Sequence, residues 1–394
     1  MVNAPTLSRG RKRCGLVIDG ELMKTRWTKE QIWEWYNARP WFRGCNYMSA
    51  DCANRIDQWQ SLGWEERFKT TEEELKLMQE TGFNTVRLII EYVVWKEEHD
   101  FFLEHFERYI SLCAKYGISC MITLANDCMP PKTELWKNPY IGEQTYDWGY
   151  HGGRKHSQHG IHTEPAPHFY LDDEVTREDY FKMVNEIVTK HKDDDRICIW
   201  DVYNEPGNSH RQDITLPTLK RMFETVRECD PAQPLTAGVF RIKGDESIPL
   251  NEVQQYALDN SDIVTYHFYR GYNEHVRIIR RLKKEGRPII NTEWLARCHG
   301  NDVFSLFPLF HLEKIGCYNW GFVAGKYQTY EPWEGSWQRY ADGSNTDVDF
   351  TKWLHDLYRP NHRPYDPREI ELIKNFCAIA DHDFEREQGE KDIK

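Results

Sequence analysis

The stretch WDVYNEPGN, Trp200 to Asn208, places a glutamate between an asparagine and a proline directly behind an apolar run. That run, RICIWDVY (Arg196–Tyr203), has the β-branched and aromatic content of a buried strand. Pro206 and Gly207 end it abruptly, so Asn204 and Glu205 stand at its carboxyl end. In α/β folds that end is where the chemistry is kept. A lone acid before proline is equally well a solvated turn, so its meaning depends on what the rest of the chain sets beside it.

Upstream, WFRGCNY (Trp41–Tyr47), NTVRLII (Asn84–Ile90) and ISCMITLA (Ile118–Ala125) read as the first three strands. Between them, TTEEELKLMQETG and FFLEHFERYISLCAKYG (Phe101–Gly117) show helical spacing. The former opens on Thr with Glu three residues later and stops at Gly82. Downstream, helices near Glu174–His191 and Leu216–Cys229 flank the fourth strand. PLTAGVF (Pro234–Phe240), DIVTYHF (Asp262–Phe268), RPIINTE (Arg287–Glu293) and GCYNWGFV (Gly316–Val323) complete the set. Eight strands, each with a helix or room for one, predict a closed (β/α)8 TIM barrel rather than a doubly wound sheet. The expected organisation is an N-terminal extension at 1–40 packing on the barrel, the barrel at 41–380, and a flexible acidic tail at 381–394.

The charge balance is acidic, 51 Lys+Arg against 63 Asp+Glu for a net −12, with no basic run to track phosphates. Nucleic acid is therefore excluded as the expected partner. The 15 Trp, 21 Tyr and 18 Phe suit ligands with apolar faces and polar edges, such as sugars. No window approaches the ~18 continuous apolar residues of a membrane span. The basic N-terminus carries only GLVI before Asp19, too little for a secretory signal. Eleven cysteines without a CxxC pair, several inside strand runs, predict reduced, buried thiols and a cytoplasmic location. No cofactor is expected, and a homo-oligomer is compatible with the sequence.

The seventh strand closes on Glu293, so two carboxylates, Glu205 and Glu293, fall at the carboxyl ends of strands four and seven. A barrel sets those strand ends facing each other across its mouth. Glycoside hydrolysis needs such a pair, one to protonate the leaving oxygen and one to attack or stabilise the anomeric carbon.

At this point a resemblance can be named. WDVYNEP is similar to the Asn-Glu-Pro signature of clan A glycoside hydrolases, and of family 5 in particular. GFNTVRLII resembles the family's second strand, TYHFY its sixth-strand segment, NTE its nucleophile strand and YNWG its eighth. The resemblance spans Trp41 to Val323 in correct order. It implies a retaining β-glycosidase with Glu205 as acid/base and Glu293 as nucleophile. It further implies Arg87 and Tyr269 bracing the nucleophile, His267 orienting the acid/base, Asn204 on the sugar 2-hydroxyl, and Trp320 beneath the sugar. Asn46 and Asn126 join the substrate-binding set. One departure stands out: the family often has a histidine ending the third strand, where this chain reads TLANDCMPP with Asn126 and Asp127.

Two loops complete the reading. The 126–173 connection is too long for a compact domain unless it is a lid, a binding loop or an oligomer contact. Its His156, His159 and His162 lack a carboxylate at ligand spacing, so no metal is expected. YEPWEGSWQRY (Tyr330–Tyr340) follows the eighth strand and is expected to wall the sugar pocket with Trp333 or Trp337, or else to bury against the long loop. The expected activity is exo-cleavage of short β-glycosides, best a β-mannosidase on β-1,4-mannosyl disaccharides. β-Glucosidase or β-xylosidase activity, an endo-β-1,4-glucanase or xylanase, and a non-catalytic sugar-binding barrel are the alternatives.

Overall fold

The apolar runs form eight parallel strands in a computed structural model that describes residues 16–18, 21–23, 25–130, 138–144 and 162–392. They are β1 (Arg43–Asn46), β2 (Thr85–Ile89), β3 (Ser119–Thr123), β4 (Ile197–Asn204), β5 (Leu235–Gly238), β6 (Val264–His267), β7 (Ile289–Trp294) and β8 (Gly316–Trp320). Their order around the sheet is β5-β4-β3-β2-β1-β8-β7-β6. The two ends meet where Val239 bridges Tyr266 in parallel and the His267 amide donates to the Val239 carbonyl at 2.9 Å. The sheet is thus a closed (β/α)8 barrel.

Helices return each strand to the bottom of the barrel and cover its outer face. Trp64–Thr81 leads into β2 and ends on Gly82 at φ 91°, the left-handed cap that glycine adopts without a Cβ clash. His99–Lys115 precedes β3, Glu174–His191 β4, and Leu216–Glu228 β5. Their buried faces, among them Met78, Phe106, Val184 and Met222, share one continuous core with the strands.

Inside the barrel, side chains change from apolar to polar toward the strand carboxyl ends. The floor is a plug: Ile32, Trp35 and Tyr36 of helix Lys29–Asn37 pack with Phe42, Met121, Ile199, Ile290 and Tyr318. That helix is set by a capping box between Thr28 and Gln31. Above lie paired hydroxyls, Thr85 with Tyr318 at 2.9 Å and Thr236 with Thr265 at 2.8 Å. At the top sits the Arg87–Asp201 ion pair. Only the upper end therefore presents groups able to act on a polar substrate.

The acidic C-terminal stretch departs from expectation. Instead of a flexible tail, 381–392 continues helix Pro367–Asp392. Ile370, Ile373, Cys377 and Ala380 bury one face of that helix. The Arg43 guanidinium donates to both oxygens of Asp381 at 2.7 and 2.6 Å, and Lys314 pairs with Glu387 at 3.3 Å. These basic partners come from far along the chain, so local composition gives no sign of them. Before Thr25 a short antiparallel pair, Leu16–Ile18 with Glu21–Met23, is described. Of the 126–173 connection, 126–130, 138–144 and 162–173 are described; His156 and His159 lie outside the described residues. Among the described residues no helix is long and apolar enough to cross a membrane.

Candidate active site

Parallel register assembles the rim. Asn46 pairs with Trp320 on one side and Arg87 on the other. Asn126 bridges Asn204, and His267 pairs with Glu293. Residues more than two hundred positions apart thereby come into contact across the barrel mouth.

Arg87 is the centre of the arrangement and is wholly buried. Its Nε and Nη2 donate to Asp201 Oδ2 at 2.9 and 2.5 Å, and Nη2 also to Asn204 Oδ1 at 2.6 Å. Nη1 donates to Asn46 Oδ1 at 2.7 Å and to Glu293 Oε1 at 3.0 Å. Burial opposes the charge, but Asp201 and Glu293 overcome it and hold the guanidinium above its ordinary pKa. A buried cation with two carboxylates is stable only as a set. Arg87→Met is expected to lower unfolding stability by about 3–5 kcal/mol, read from denaturant midpoints, because it strands both acids. A midpoint equal to wild type would show that Arg87 is not the keystone.

Glu293 accepts from the Tyr269 hydroxyl on Oε2 at 2.8 Å, with His267 Nδ1 3.3 Å from the same oxygen. Glu205 accepts from His267 Nδ1 on Oε1 at 2.7 Å. Its Oε2 accepts from the Cys128 thiol at 3.1 Å and from Asn208 Nδ2. One oxygen of each carboxylate lies within 4.8 Å of the other and of the His267 ring nitrogen. Burial raises Glu205, but His267, Cys128 and Asn208 outweigh it and leave the carboxyl below the ordinary range. Burial also raises Glu293, helped by repulsion from Glu205, and His267 and Arg87 do not fully reverse it. The pair therefore titrates as a unit.

Glu205 reaches this position through left-handed backbone, φ 47°, followed by Ser209, His210 and Gln212 at 53°, 61° and 45°. Such conformations persist only where the surroundings hold them. Asp127 does so: its Oδ2 accepts from the Gly207 amide at 2.7 Å and from Thr215 Oγ1, its Oδ1 from the Tyr203 hydroxyl at 2.9 Å, and Arg211 Nε lies 3.1 Å away. Asn126 Oδ1 accepts from Asn204 Nδ2 at 2.6 Å, fixing the amide next to Glu205. The segment that departs from the family pattern is thus a clasp on the Glu205 loop.

Arg87 and Asn46 also line a pocket together with Tyr47, Arg55, Gln58 and Trp320. Arg55 Nε is 3.3 Å from Glu91, which accepts from the Tyr170 hydroxyl at 2.6 Å. Gln58 donates to the Tyr109 hydroxyl at 3.0 Å. The short helix bearing both, Arg55–Trp59, is flanked by Asn54 and Gln60, which bond to Gln144 and Gly142 of the long connection at 2.8 Å each. Trp333 sets its ring edge-on to Tyr269, centroids 5.0 Å apart, and so reaches the site. Trp337 does not follow it: one turn on in helix Glu334–Ala341, it stacks on Phe350 at 3.9 Å and is 38% exposed. Phe350, on the returning loop, offers it an apolar partner that the local sequence does not announce. His162 faces His210 with centroids 5.9 Å apart.

Three residues at the site escaped sequence reasoning: Asp201, Cys128 and Asn208. Asp201 carried a signal, since an acid inside an otherwise apolar buried strand requires a partner. Cys128 and Asn208 sit in loops whose path the sequence does not specify.

Comparison with known proteins supplies the family and the fold. The family model described as Cellulase (glycosyl hydrolase family 5) matches residues 48–321. A search of curated proteins finds no match. Among solved structures, an exo-β-1,4-mannosidase from Opitutaceae bacterium strain TAV5 aligns over 88% of this chain at 17% identity and TM-score 0.53. The alignment spans only 60% of that protein's length. A family 5 mannosidase from Rhizomucor miehei aligns at 14% identity and TM-score 0.50, over 88% of this chain and 95% of that one. The endo-1,4-β-mannanase of the same organism aligns at 11% identity and TM-score 0.50, over 87% and 95%. These likenesses show a shared fold. With the family model matched over most of the barrel, the chain belongs to glycoside hydrolase family 5 and is a retaining glycoside hydrolase.

Proposed function

We propose that this enzyme is an exo-acting β-mannosidase that removes single sugars from short β-1,4-linked mannosyl oligosaccharides by double displacement. Glu293 attacks the anomeric carbon as Glu205 protonates the departing oxygen; Glu205 then takes a proton from the water that releases the sugar. Carboxylate oxygens within 4.8 Å of each other leave no room for the interposed water of an inverting enzyme, which needs roughly 6.5–9.5 Å between the groups. The Glu205 carboxyl lies low and that of Glu293 high. For these roles a sugar laid over Glu205 has to exclude solvent and so raise its carboxyl, while Arg87 and Tyr269 donate to Glu293 and favour its ionised form. Asn204 meets the 2-hydroxyl, Trp320 lies beneath the sugar ring, Asn46 and Asn126 contact its hydroxyls, and Trp333 walls the side next to Tyr269.

The observation that carries exo action is the pocket wall. Arg55 and Gln58 line the pocket next to Arg87 and Asn46 and are held by Glu91 and Tyr109, while the flanking Asn54 and Gln60 tie their helix to residues 142–144. A wall fixed in this way stops a chain from running through, so a terminal sugar is the part that fits. Two of the enzymes alike in fold are an exo-β-1,4-mannosidase and a family 5 mannosidase, which favours mannose as the sugar here. Nine of the ten described cysteines are buried, which fits a protein kept in the reducing cytoplasm.

Product analysis on a β-1,4-manno-oligosaccharide series tests the proposal. Mannose released from the first time point, with chains shortening by single units, is the expected result. Mixed internal fragments would return the endo reading to first place. A panel of aryl β-glycosides turned over fastest as glucoside or xyloside would overturn the sugar assignment.

A further inference from the structure

We propose that Cys128 is a positioning residue for Glu205, a deliberately weak hydrogen-bond donor that orients its carboxyl and sets the pH at which it gives up its proton. The inference rests on the reading of Glu205 as the acid/base.

The thiol lies 3.1 Å from Glu205 Oε2, on the side of the carboxyl opposite His267. Two amides aim it. Asn204 Nδ2 and Asn208 Nδ2 donate to the sulfur at 3.4 and 3.3 Å, which occupies its lone pairs and turns the S–H toward the carboxylate. Both amides are themselves fixed. Asn208 Oδ1 accepts from the Ser209 amide at 2.6 Å, and Asn204 Oδ1 from Arg87 at 2.6 Å. The cysteine backbone is held as well, its amide donating to Asn126 Oδ1 at 3.1 Å. Cys128 is only half-buried, whereas the other nine described cysteines are buried. It thus faces the site rather than the core.

The remaining groups around Glu205 come from separate elements. His267 ends β6 and Tyr269 follows it, Glu293 comes from β7, and Arg87 from β2 acts through Glu293. Asp127 and Arg211 pair with each other beneath the loop. Among the direct donors to Glu205, His267 and Asn208 are strong N–H groups, and a third strong donor would hold the carboxylate too firmly for it to be reprotonated in each cycle. A thiol fills the place, keeps the geometry and stabilises the carboxylate less than a hydroxyl at the same position would. Burial and the neighbouring carboxylates keep it protonated, its pKa pushed well above the ordinary thiol value.

The test compares wild type, Cys128→Ser and Cys128→Ala in pH profiles of kcat/KM, using aryl β-mannosides with a good (dinitrophenyl) and a poor (methoxyphenyl) leaving group. The basic limb reports loss of the acid's proton. Serine, the stronger donor, is expected to move that limb down by about half to one pH unit, and alanine to move it up by a similar amount. Alanine should also slow the poor-leaving-group substrate about tenfold while sparing the good one. Superimposed limbs, or serine and alanine shifting in the same direction, would overturn the inference. Should alanine not fold, serine against wild type decides by the same limb. Failure of the underlying reading is distinguishable. In that case Glu205→Ala slows both substrates alike, whereas failure of the Cys128 inference alone leaves that split intact.

Discussion

Glu293→Ala will stay folded, at a lower denaturant midpoint because Arg87 keeps Asp201 but loses one carboxylate, and will lose turnover on the order of 10⁴-fold or more, the scale seen when a covalent nucleophile is removed. Three features of the site concentrate on this carboxylate. Arg87 and the Tyr269 hydroxyl donate to its two oxygens at 3.0 and 2.8 Å, so both are held in fixed directions. The parallel pairing of His267 with Glu293 fixes its height at the rim. The neighbouring carboxylate is within 4.8 Å, so a sugar between them is in reach of both. Alanine leaves a small void beside Arg87 that azide can enter. Azide should restore turnover of an activated aryl glycoside and give the glycosyl azide of inverted configuration, because one displacement then replaces two. Activity near wild type without azide, or rescue with retained configuration, would remove Glu293 from the nucleophile role.

Glu205→Ala will separate substrates by leaving group. Those with poor leaving groups should lose about 10²- to 10⁴-fold in kcat/KM, the usual worth of general acid catalysis, and dinitrophenyl glycosides far less. The glycosyl–enzyme should then accumulate, because water attacks slowly without a base. A burst of dinitrophenol followed by a slow steady state is its kinetic signature. Azide should speed the second phase and yield a product of retained configuration, the opposite of its effect at position 293. Equal losses on both substrate types, with no burst, would contradict the assignment.

Much of this site was legible because the motif residues sit at strand ends. The apolar strand runs were read from period and composition, and parallel register then carries Asn46, Arg87, Asn204, His267, Glu293 and Trp320 to a common rim. What escaped depends on events with no local signal. A register shift in β4 between Asp201 and Tyr203 lets Asp201 and Asn204 both reach Arg87, although strict alternation along a strand would turn them to opposite faces. Asn126 and Asp127 were visible as a departure from the family pattern, but their work as a clasp needs the path of the 205–215 loop, which five left-handed residues, Gly207 among them, bend. Trp333 and Trp337 are alike in sequence context, and only the position of Phe350 separates them. The acidic C-terminal stretch looked frayed because its counter-ions, Arg43 and Lys314, lie elsewhere in the chain.

The most direct test of the double-displacement account is to trap its intermediate. Incubation of the wild-type enzyme with a 2-deoxy-2-fluoro-β-mannosyl fluoride slows both steps but leaves the first fast enough to accumulate the adduct. Digestion and mass spectrometry then locate the sugar. The account predicts one fluorosugar per chain, ester-linked to Glu293, with activity returning as the adduct hydrolyses. Labelling of Glu205 instead, or unimpeded turnover with release of the inverted anomer, would contradict it.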